Sequence, residues 1–293
     1  MQSTSTTRWN FAACQPPRAV VLVAGDREPI ARRARELRPR LEQHVQIVLW
    51  DEHFAQDLDA VEAELVVVFG GDGSILRSAR QMGARQRPVL GVNLGNLGFL
   101  ADVKPEELFE VLPRVLRGEC RVVEHLMFQA TVFRGDQVVA RARGLNETAV
   151  LAGPPFAILQ VELYVDGQGV TTYSCDGLII STPVGSTAHS LSAGGPILRK
   201  DIQAFVICPV SPHTLTVRPV VDAAHRVYEM VVPRPNQGTA VVVDGQVLCR
   251  LEAGDRVRVE RAEEDFLLIE APGHNYYRTL REKLHWSGKL HGA

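Results

Sequence analysis

Leu65-Val-Val-Val-Phe-Gly-Gly-Asp-Gly-Ser-Ile-Leu76 is the stretch that decides the fold of the first half of the chain. Its unbroken apolar run, Leu65–Phe69, ends at glycines, a pattern typical of a strand that is buried on both faces of a parallel sheet. The three glycines let the backbone turn sharply and approach a ligand closely. We predict a helix over Ser74–Met82, whose free N–H groups and positive dipole end would face the loop and suit a phosphate.

Asp72 places a carboxylate in this same loop. An acid beside a phosphate site has a chemical purpose if it binds a metal ion or takes a proton from an attacking hydroxyl. Taken alone, the stretch is explained equally well by an ordinary strand-to-helix turn that carries one solvated aspartate. The loop therefore indicates a phosphoryl-transfer site without establishing one.

The composition limits the classes of function. Of the 293 residues, 45% are hydrophobic and 23% are charged, as in a globular protein with a substantial core. The 32 Lys and Arg residues balance 34 Asp and Glu residues, which argues against nucleic acid or an anionic membrane as the main partner. The longest apolar runs are far shorter than a membrane span. Five scattered cysteines without a Cys-x-x-Cys pair favour a reducing cytoplasm over a disulfide framework or a zinc site.

Four segments follow from the periodicity of the chain. Residues 1–17 are rich in Ser and Thr and are predicted to form a disordered tail. Residues 18–125 alternate strand-like and helix-like stretches, and this order predicts an α/β domain with a parallel sheet. Residues 126–272 carry short alternating stretches divided by turn pairs such as Asp166-Gly167 and Asp244-Gly245, which predict a β-rich domain. Residues 273–293 are predicted to form a C-terminal helix, over Tyr276–Trp286, and a tail that returns to the first domain.

Three motifs in the second half have the chemistry of a ligand site. Asn146-Glu147 can hold the vicinal hydroxyls of a sugar or the edge of a base, although such a pair is more often a turn. The stretch from Asp176 to Ile197 contains a strand, Pro183, and then many small and hydroxyl-bearing residues. Helix initiation near Ser186-Thr187 would expose N–H groups, and the small residues permit close contact with a flat ligand. Asp244-Gly245-Gln246 is interpreted first as a hairpin turn.

Taken in order, these motifs resemble those of the NAD kinases. The matching segments run from about residue 18 to residue 287 and are Gly70-Gly71-Asp72-Gly73-Ser74, Gly91-Val92-Asn93, Leu97-Gly98-Phe99-Leu100, Asn146-Glu147, Asp176 to Pro196, Asp244-Gly245-Gln246 and Leu280-Arg281-Glu282-Lys283-Leu284. The first motif also occurs in diacylglycerol kinase-like and phosphofructokinase-like enzymes. The motif at 176–196 is specific.

The resemblance implies a fold and a reaction. The fold would be an α/β N-terminal domain, of the diacylglycerol kinase and phosphofructokinase type, and a β-sandwich-like C-terminal domain with the active site between them. The reaction would be the ATP-dependent phosphorylation of the adenosine ribose 2′-hydroxyl of NAD to give NADP, with Mg²⁺. Members of the family are commonly homo-oligomers, so the resemblance implies a dimer or tetramer that binds NAD and ATP. The cysteines predict the cytoplasm, and the charge balance and short apolar runs predict no nucleic acid or membrane partner.

The resemblance also implies residue roles. Asp72 would be the proton acceptor and lie near the metal. Residues that would contact the dinucleotide come from the first loop, its neighbour and the second half: Gly71, Gly73, Phe99, Asn146, Glu147, Asp176, Thr187, Ala188, His189, Ser190, Leu191, Ser192 and Gln246. Asn146 and Glu147 would hold the reacting nucleoside, and Asp176 would contact the other one.

Three positions depart from the family pattern. His189 stands where the family usually has Tyr, Val184 where it has Thr or Ser, and Ser174 where many bacterial members carry a basic residue. A histidine can still stack on a ring, with less area than a tyrosine. Two other functions stay open: a lipid or sugar kinase of the same superfamily, which does not need the 176–196 motif, and a non-catalytic dinucleotide sensor, which does not need Asp72.

Overall fold

The computed structural model describes residue 11 and residues 16–95, 98–273 and 275–286. Its chain forms two compact units: the described residues up to Val123 with those from Leu267 onward, and Glu124–Phe266. The helices α1 to α5 are Glu28–Leu41, Asp72–Gln81, Leu108–Leu116, His189–Ser192 and Tyr276–Lys283. The strands β1 to β16 are Arg18–Val23, Gln46–Asp51, Leu65–Gly70, Val89–Asn93, Arg121–Arg134, Gln137–Gly144, Glu147–Leu151, Leu159–Val165, Gln168–Cys175, Gly177–Ser181, Ala204–Val210, Val220–Ala223, Tyr228–Val231, Ala240–Val243, Gln246–Arg250 and Arg256–Glu270.

The first unit is built on a parallel sheet. Its strands lie in the order β2-β1-β3-β4, and the end of β16 lies beside β4 with Leu268 opposite Val89. Every residue of β3 is buried, which confirms the prediction for Leu65–Phe69. The apolar faces of α1 and α3 share one core with the sheet. Because parallel strands present their carboxyl ends at one edge, the loops after β1 and β3 lie at the same edge.

Three helix boundaries differ from those predicted. Helix α2 begins at Asp72, not Ser74, with Gly71 in an extended conformation as its N-cap residue. The sequence also predicts a helix over Pro105–Leu116, and helix α3 begins at Leu108, three residues after Pro105. Helix α5 ends at Lys283 rather than Trp286. The change at α2 matters for function, since it makes Asp72 the first helical residue rather than a loop residue.

The second unit consists of two antiparallel sheets. One has the order β12-β11-β10-β7-β14-β15, and the other contains β8, β9, β13, β5, β6 and most of β16. One apolar core contains residues of both sheets, and the rings of Phe205 and Tyr228 meet edge to face with centroids 5.7 Å apart. This arrangement is a β-sandwich. The predicted fold class, an α/β domain followed by a sandwich-like β domain, is confirmed.

Two hairpin turns of the second unit form at Asp-Gly pairs that the sequence predicts as turns. Asp166-Gly167 connects β8 and β9, and Asp244-Gly245 connects β14 and β15. All four residues have positive φ, from 45° to 77°, as two-residue hairpin turns of type I′ require. In the described ranges, no helix is long and apolar enough to cross a membrane.

Candidate active site

A cleft in the first unit opens at the edge of the sheet where β1 and β3 end. Its volume is about 390 Å³. It is lined by residues that follow β1, β3 or β4 or belong to the first two turns of α1 and α2: Ala24, Asp26, Arg27, Ile30, Gly71, Asp72, Gly73, Ser74, Arg77 and Gly95. In the first turn of α2, the N–H of Ser74 donates to the Gly71 carbonyl at 2.9 Å, but the N–H groups of Asp72 and Gly73 have no acceptor within the helix, so this wall of the cleft favours an anion.

The Asp72 carboxylate is fixed by a neighbouring segment of the first unit. It accepts hydrogen bonds from the backbone N–H groups of Phe99 at 2.7 Å, Leu100 at 2.9 Å and Ala101 at 3.2 Å. A Cβ atom on Gly98 would lie 2.1 Å from Asp72 Oδ1, so only glycine leaves room for this contact. Asp72 is therefore not a solvated turn residue. The reading of this loop as an ordinary turn with one solvated aspartate is wrong.

The three glycines between the end of β3 and the first turn of α2 have different surroundings. A Cβ atom on Gly70 would lie 2.1 Å from Ser74 Oγ, so that glycine is required by packing. A Cβ atom on Gly71 or Gly73 would meet nothing within 4 Å. Since neither of these two has a positive φ, the protein itself does not require glycine there. Their bare backbone instead leaves open space on the wall of the cleft.

The donor set of the cleft fits Mg²⁺ that is carried by a phosphate ligand. A carboxylate has about four lone-pair sites, and Asp72 uses one on Oδ2 and two on Oδ1 for backbone N–H groups. One site on Oδ2 remains, and Asp26 adds a second carboxylate. Mg²⁺ usually takes one or two carboxylates together with water and substrate phosphates. Among the described residues, no cluster of three or more His, Cys, Asp or Glu side chains forms a protein-only metal site.

Phe99 is half-buried and has a cationic neighbour from the C-terminal helix. The ammonium of Lys283 lies 5.1 Å from the centroid of its ring. Because the N–H of Phe99 donates to Asp72, the end of α5 lies near the segment that fixes this carboxylate. Leu97, which belongs to the same family motif, lies outside the described residues.

In the second unit, Asp244 fixes the Asn-Glu segment. Its carboxylate accepts from the backbone N–H groups of Leu145 at 2.8 Å, Asn146 at 2.8 Å and Glu147 at 3.1 Å. The N–H of Asp244 donates back to the carbonyl of Glu147 at 3.0 Å. Glu147 is the first residue of β7, so the pair is the entry to a central strand rather than an isolated turn.

The loop after β10 packs directly on this segment. Thr182 donates through its N–H to the carbonyl of Asn146 at 2.8 Å and through Oγ1 to the carbonyl of Leu145 at 2.6 Å. A Cβ atom on Gly185 would lie 2.1 Å from the Asn146 carbonyl oxygen. The structure thus brings together three motifs that are far apart in the sequence, at residues 145–147, 181–189 and 244–246.

The predicted helix start at Ser186-Thr187 is wrong. Gly185–Thr187 is a single 3₁₀ turn, and the one-turn helix α4 begins at His189. The two are separated at Ala188, whose φ of −109° and ψ of −125° are not helical. Oγ1 of Thr182 already accepts from the N–H of Gly185 at 3.1 Å, so this turn is capped by the protein and not open to an anion.

Glu147 is a buried acid without a full set of partners. The residue is 7% exposed, and one of its oxygens, Oε2, has no hydrogen-bond partner in the structure. Burial and the nearby charge of Asp244 raise its pKa to about 8, and a hydrogen bond from the His189 backbone N–H opposes that rise only in part. Near neutral pH the carboxyl is therefore largely protonated and can donate a hydrogen bond.

The other predicted contact residues lie in different surroundings. Thr187, Ala188, His189 and Leu191 are half-buried, while Ser192 and Gln246 are exposed. Ser190 is fully buried, and a Cβ atom on Gly195 would lie only 2.2 Å from its Oγ. Val184, one of the departures from the family pattern, is 3% exposed, so its side chain belongs to the interior.

Asp176 is not brought to this cluster within the chain. It precedes β10, whereas the loop at 182–189 follows the same strand. In the antiparallel pairing, Gly177 lies opposite Leu151 and Ser181 lies opposite Glu147. The length of β10 therefore separates Asp176 from the Asn-Glu segment, at about 3.3 Å per residue. Asp176 is exposed at the far end.

Comparison with known proteins places this geometry in a family. The sequence matches the ATP-NAD kinase N-terminal domain over residues 20–120 and the ATP-NAD kinase C-terminal domain over residues 145–271. The NAD kinase of Rhodopirellula baltica is 52% identical over 291 residues, which cover 99% of this chain and 94% of that protein. This chain belongs to the NAD kinase family.

A further member and a solved structure agree with this assignment, and a second solved structure shares the fold. The NAD kinase of Geobacter metallireducens is 42% identical over 86% of this chain and 93% of its own. The crystal structure of an NAD kinase from Archaeoglobus fulgidus in complex with ATP has a TM-score of 0.73 at 28% identity, and covers 92% of this chain and 100% of its own. Yeast NADH kinase complexed with NADH has a TM-score of 0.80 at 21% identity, over 95% of this chain and 90% of its own, and this likeness shows the fold alone.

Several residues of this NAD kinase family member were not predicted from its sequence. Asp244 was interpreted as a turn residue, and it is also the group that fixes residues 145–147. Asp26, Arg27 and Arg77 line the cleft beside Asp72. A signal for Asp26 and Arg27 was present, since they follow β1 just as Gly71 follows β3, and strands of a parallel sheet end at a common edge.

Proposed function

We propose that this protein is an NAD kinase that transfers the γ-phosphoryl group of ATP to the adenosine ribose 2′-hydroxyl of NAD, giving NADP. The observation that carries the proposal is the fixed carboxylate of Asp72 in a cleft with an anion-favouring helix start, within a chain of the NAD kinase family. Phosphoryl transfer depends on positioning and charge neutralisation more than on covalent catalysis, and this cleft offers both.

Asp72 is proposed as the catalytic residue. Its three N–H partners hold the carboxylate in one orientation, and the remaining lone pair on Oδ2 can accept the proton of the 2′-hydroxyl. Asp26 and Asp72 are the residues that would hold Mg²⁺, and because only one lone pair of Asp72 remains, that lone pair serves either the ion or the proton at any one time. Bound there, the ion would neutralise charge on the transferring phosphoryl group.

Each unit contains residues that are proposed to contact NAD. Gly71, Gly73 and Phe99 would contact it from the first unit, with the open space at the two glycines allowing close approach of a ligand. In the second unit, Asn146 and Glu147 would hold the reacting nucleoside. A protonated Glu147 can donate a hydrogen bond to a ribose or base acceptor, which an ionised carboxylate cannot do.

The loop that follows β10 completes the proposed dinucleotide site. Thr187, Ala188, His189 and Leu191 are half-buried, as the walls of a pocket are, and Ser192 and Gln246 would lie at its edge. Ser190 would act only through its backbone, because its side chain is buried against Gly195. Asp176 would contact the second nucleoside at the other end of β10.

The family membership also supports the setting in which the enzyme acts. We propose a cytoplasmic homo-oligomer, a dimer or tetramer, that uses Mg²⁺ and has no nucleic acid or membrane partner. The free cysteines and the near-neutral charge are compatible with that setting. Sedimentation of the purified protein tests the oligomeric state.

An acceptor panel tests the proposed function against its rivals. The purified protein, with ATP and Mg²⁺, is offered NAD, NADH, diacylglycerol, a sphingoid base and fructose 6-phosphate in separate reactions. We expect turnover of the dinucleotide and none of the lipids or the sugar. Turnover of a lipid or sugar with NAD unchanged would establish the related kinase instead. Tight NAD binding without any turnover would establish a dinucleotide sensor.

A further inference from the structure

Arg77 is a cation at the cleft to which the proposed mechanism gives no role. It lies on α2 five residues after Asp72, and its side chain lines the cleft together with residues 71–74. The guanidinium stacks on the ring of Phe54, 4.3 Å from its centroid, and donates to the carbonyl of His53 at 2.9 Å. These two contacts come from the loop after β2 and hold the group in place.

Most of the hydrogen-bonding capacity of this guanidinium is still available. A guanidinium has five N–H donors, and the bond to His53 uses one of them. A charged neighbour of the guanidinium is Asp26, whose Oδ1 lies 3.9 Å from Nη1 of Arg77. Asp26 is 65% exposed and Arg77 is 35% exposed, so this pair is worth little in water and an anion can compete for it. A stacked, pre-oriented guanidinium loses little freedom when it binds a phosphate.

The rest of the cleft indicates which part of a nucleotide this arginine would contact. Besides Arg27 and the two carboxylates, the lining consists of glycines, Ser74, Ala24 and Ile30. Such a surface suits a chain of phosphates with its cation: arginine forks for the oxygens, helix N–H groups, and carboxylates for Mg²⁺.

We propose that Arg77 binds the phosphates of the phosphoryl donor and contributes the same affinity whichever base the donor carries. This inference rests on the proposed function, since it names how the donor is held at the same site. It makes Arg77 a donor-binding residue, whereas affinity for NAD alone does not depend on it.

Binding titrations without NAD test the proposal directly. Calorimetry with Mg²⁺ present measures the affinities of ATP, GTP, inorganic tripolyphosphate and adenosine for the wild type and for Arg77→Met, whose apolar stem can still pack on Phe54. We expect Arg77→Met to weaken ATP, GTP and tripolyphosphate by the same factor, roughly tenfold for one charge-assisted contact at a partly exposed site. Adenosine affinity should not change. The phosphate affinities of Arg77→Lys should lie between those of the wild type and Arg77→Met, since lysine keeps the charge but loses the planar fork.

Arg80→Met is the matched control, because Arg80 lies on the same helix and is not among the residues that line the cleft. It should bind all four probes like the wild type. The proposal would be overturned if a folded Arg77→Met variant bound ATP and tripolyphosphate as tightly as the wild type does. It would also be overturned if the variant lost affinity for ATP but not for tripolyphosphate. The acceptor panel judges the proposed function separately: NAD turnover by the wild type with unchanged donor affinity in Arg77→Met would refute only the role of Arg77.

Discussion

Two aspartates in this chain do the same structural work in different units. Asp72 and Asp244 each accept hydrogen bonds from three consecutive backbone N–H groups, at residues 99–101 and 145–147. Charge-assisted bonds of this kind fix both the loop and the carboxylate. At Asp72 the same atoms must serve structure and catalysis, so a substitution there affects both.

Asp72→Asn is expected to lose activity and some stability. The variant has one oxygen where the carboxylate had two, so an amide NH₂ would face an N–H donor of the 99–101 segment. An unsatisfied donor costs about 1–3 kcal/mol, and the melting temperature should fall by a few degrees. Loss of the proton acceptor should lower kcat by a factor of about 10² to 10⁴, measured at saturating ATP and NAD.

Asp51→Asn is the control that separates the loss of stability from the loss of catalysis. Asp51 also accepts from three backbone N–H groups, those of His53, Ala55 and Gln56, and lies outside the cleft. Asp51→Asn should therefore lower the melting temperature by a similar amount and leave kcat near that of the wild type. A folded Asp72→Asn enzyme with wild-type kcat would show that the carboxylate is structural only.

Glu147 makes stability depend on pH. In the unfolded chain its carboxyl loses its proton near the ordinary value for Glu, whereas burial holds the folded pKa at about 8. Between these values the unfolded state binds fewer protons than the folded state, so stability falls as pH rises from about 4.5 to 8. Glu147→Gln has no proton to lose and should remove this contribution to the pH dependence, which is on the order of a few kcal/mol.

Melting temperatures from pH 5 to pH 9 test this expectation. The curve of Glu147→Gln should be flatter than that of the wild type. Glu263→Gln, which changes an exposed carboxyl of the same unit, is the control and should follow the wild type. Parallel curves for Glu147→Gln and the wild type would mean that Glu147 is ionised in the folded protein.

His189 occupies a position where the family usually has Tyr, and it is half-buried at the start of α4. His189→Tyr should leave kcat intact and change mainly the Michaelis constant for NAD. His189→Ala should weaken NAD binding by about 1 kcal/mol through lost stacking area. Steady-state kinetics with NAD as the varied substrate measure both. If both variants match the wild type in every constant, His189 lies outside the site.

At the scale of elements, the glycines around α2 divide into those required by packing and those that leave space for a ligand. A methyl group on Gly71 or Gly73 meets nothing in the protein, so Gly71→Ala and Gly73→Ala should fold as stably as the wild type. A ligand that approaches these positions closely would meet the added methyl groups. We therefore expect a severalfold rise in the Michaelis constants with an unchanged melting temperature.

Gly98→Ala is the contrasting variant. Its Cβ atom would lie 2.1 Å from Asp72 Oδ1, so either the carboxylate or the 98–101 segment must move. Thermal melts and kinetics of the three alanine variants should therefore give two distinct patterns, with stability lost only in Gly98→Ala. Wild-type kinetics in both Gly71→Ala and Gly73→Ala would argue that no substrate lies against this loop.

The elements that the sequence predicted well are those with a strong local signal. The run Leu65–Phe69 is apolar throughout because β3 is covered on both faces, and Asp-Gly pairs form hairpins because they tolerate positive φ. Strand β16, Arg256–Glu270, gives a strand signal in the sequence only over Val257–Val259, since the charged residues that follow hide the alternation. The turn at 185–187 was misjudged because Thr182 caps it through a contact that only the fold creates.

The candidate site shows the same division between local and tertiary information. Asp72, Asn146 and Glu147 were predicted from motif and residue type. Their hydrogen-bond partners could not be predicted, because they depend on pairings between segments distant in the chain. These partners are residues 99–101 for Asp72, and residues 182 and 244 for Asn146. Arg77 gave no signal at all, since an arginine on an amphipathic helix is usually a solvated side chain.

At the scale of the whole molecule, agreement with the family extends along almost the entire chain. The relative from Rhodopirellula baltica matches over 99% of it, and both family domains are present. A sensor that had lost catalysis could dispense with Asp72, and a lipid or sugar kinase could dispense with the 176–196 motif. This chain keeps both, so the whole molecule favours an active NAD kinase.

The position of the new phosphate is the most direct test of this account. The purified protein is incubated with ATP, Mg²⁺ and NAD, and the product is examined by ³¹P NMR and with a dehydrogenase that accepts only NADP. We predict one new phosphomonoester resonance coupled to the 2′ proton of the adenosine ribose, and a product that the dehydrogenase reduces. A phosphate at any other hydroxyl, or hydrolysis of ATP with NAD unchanged, would contradict the account.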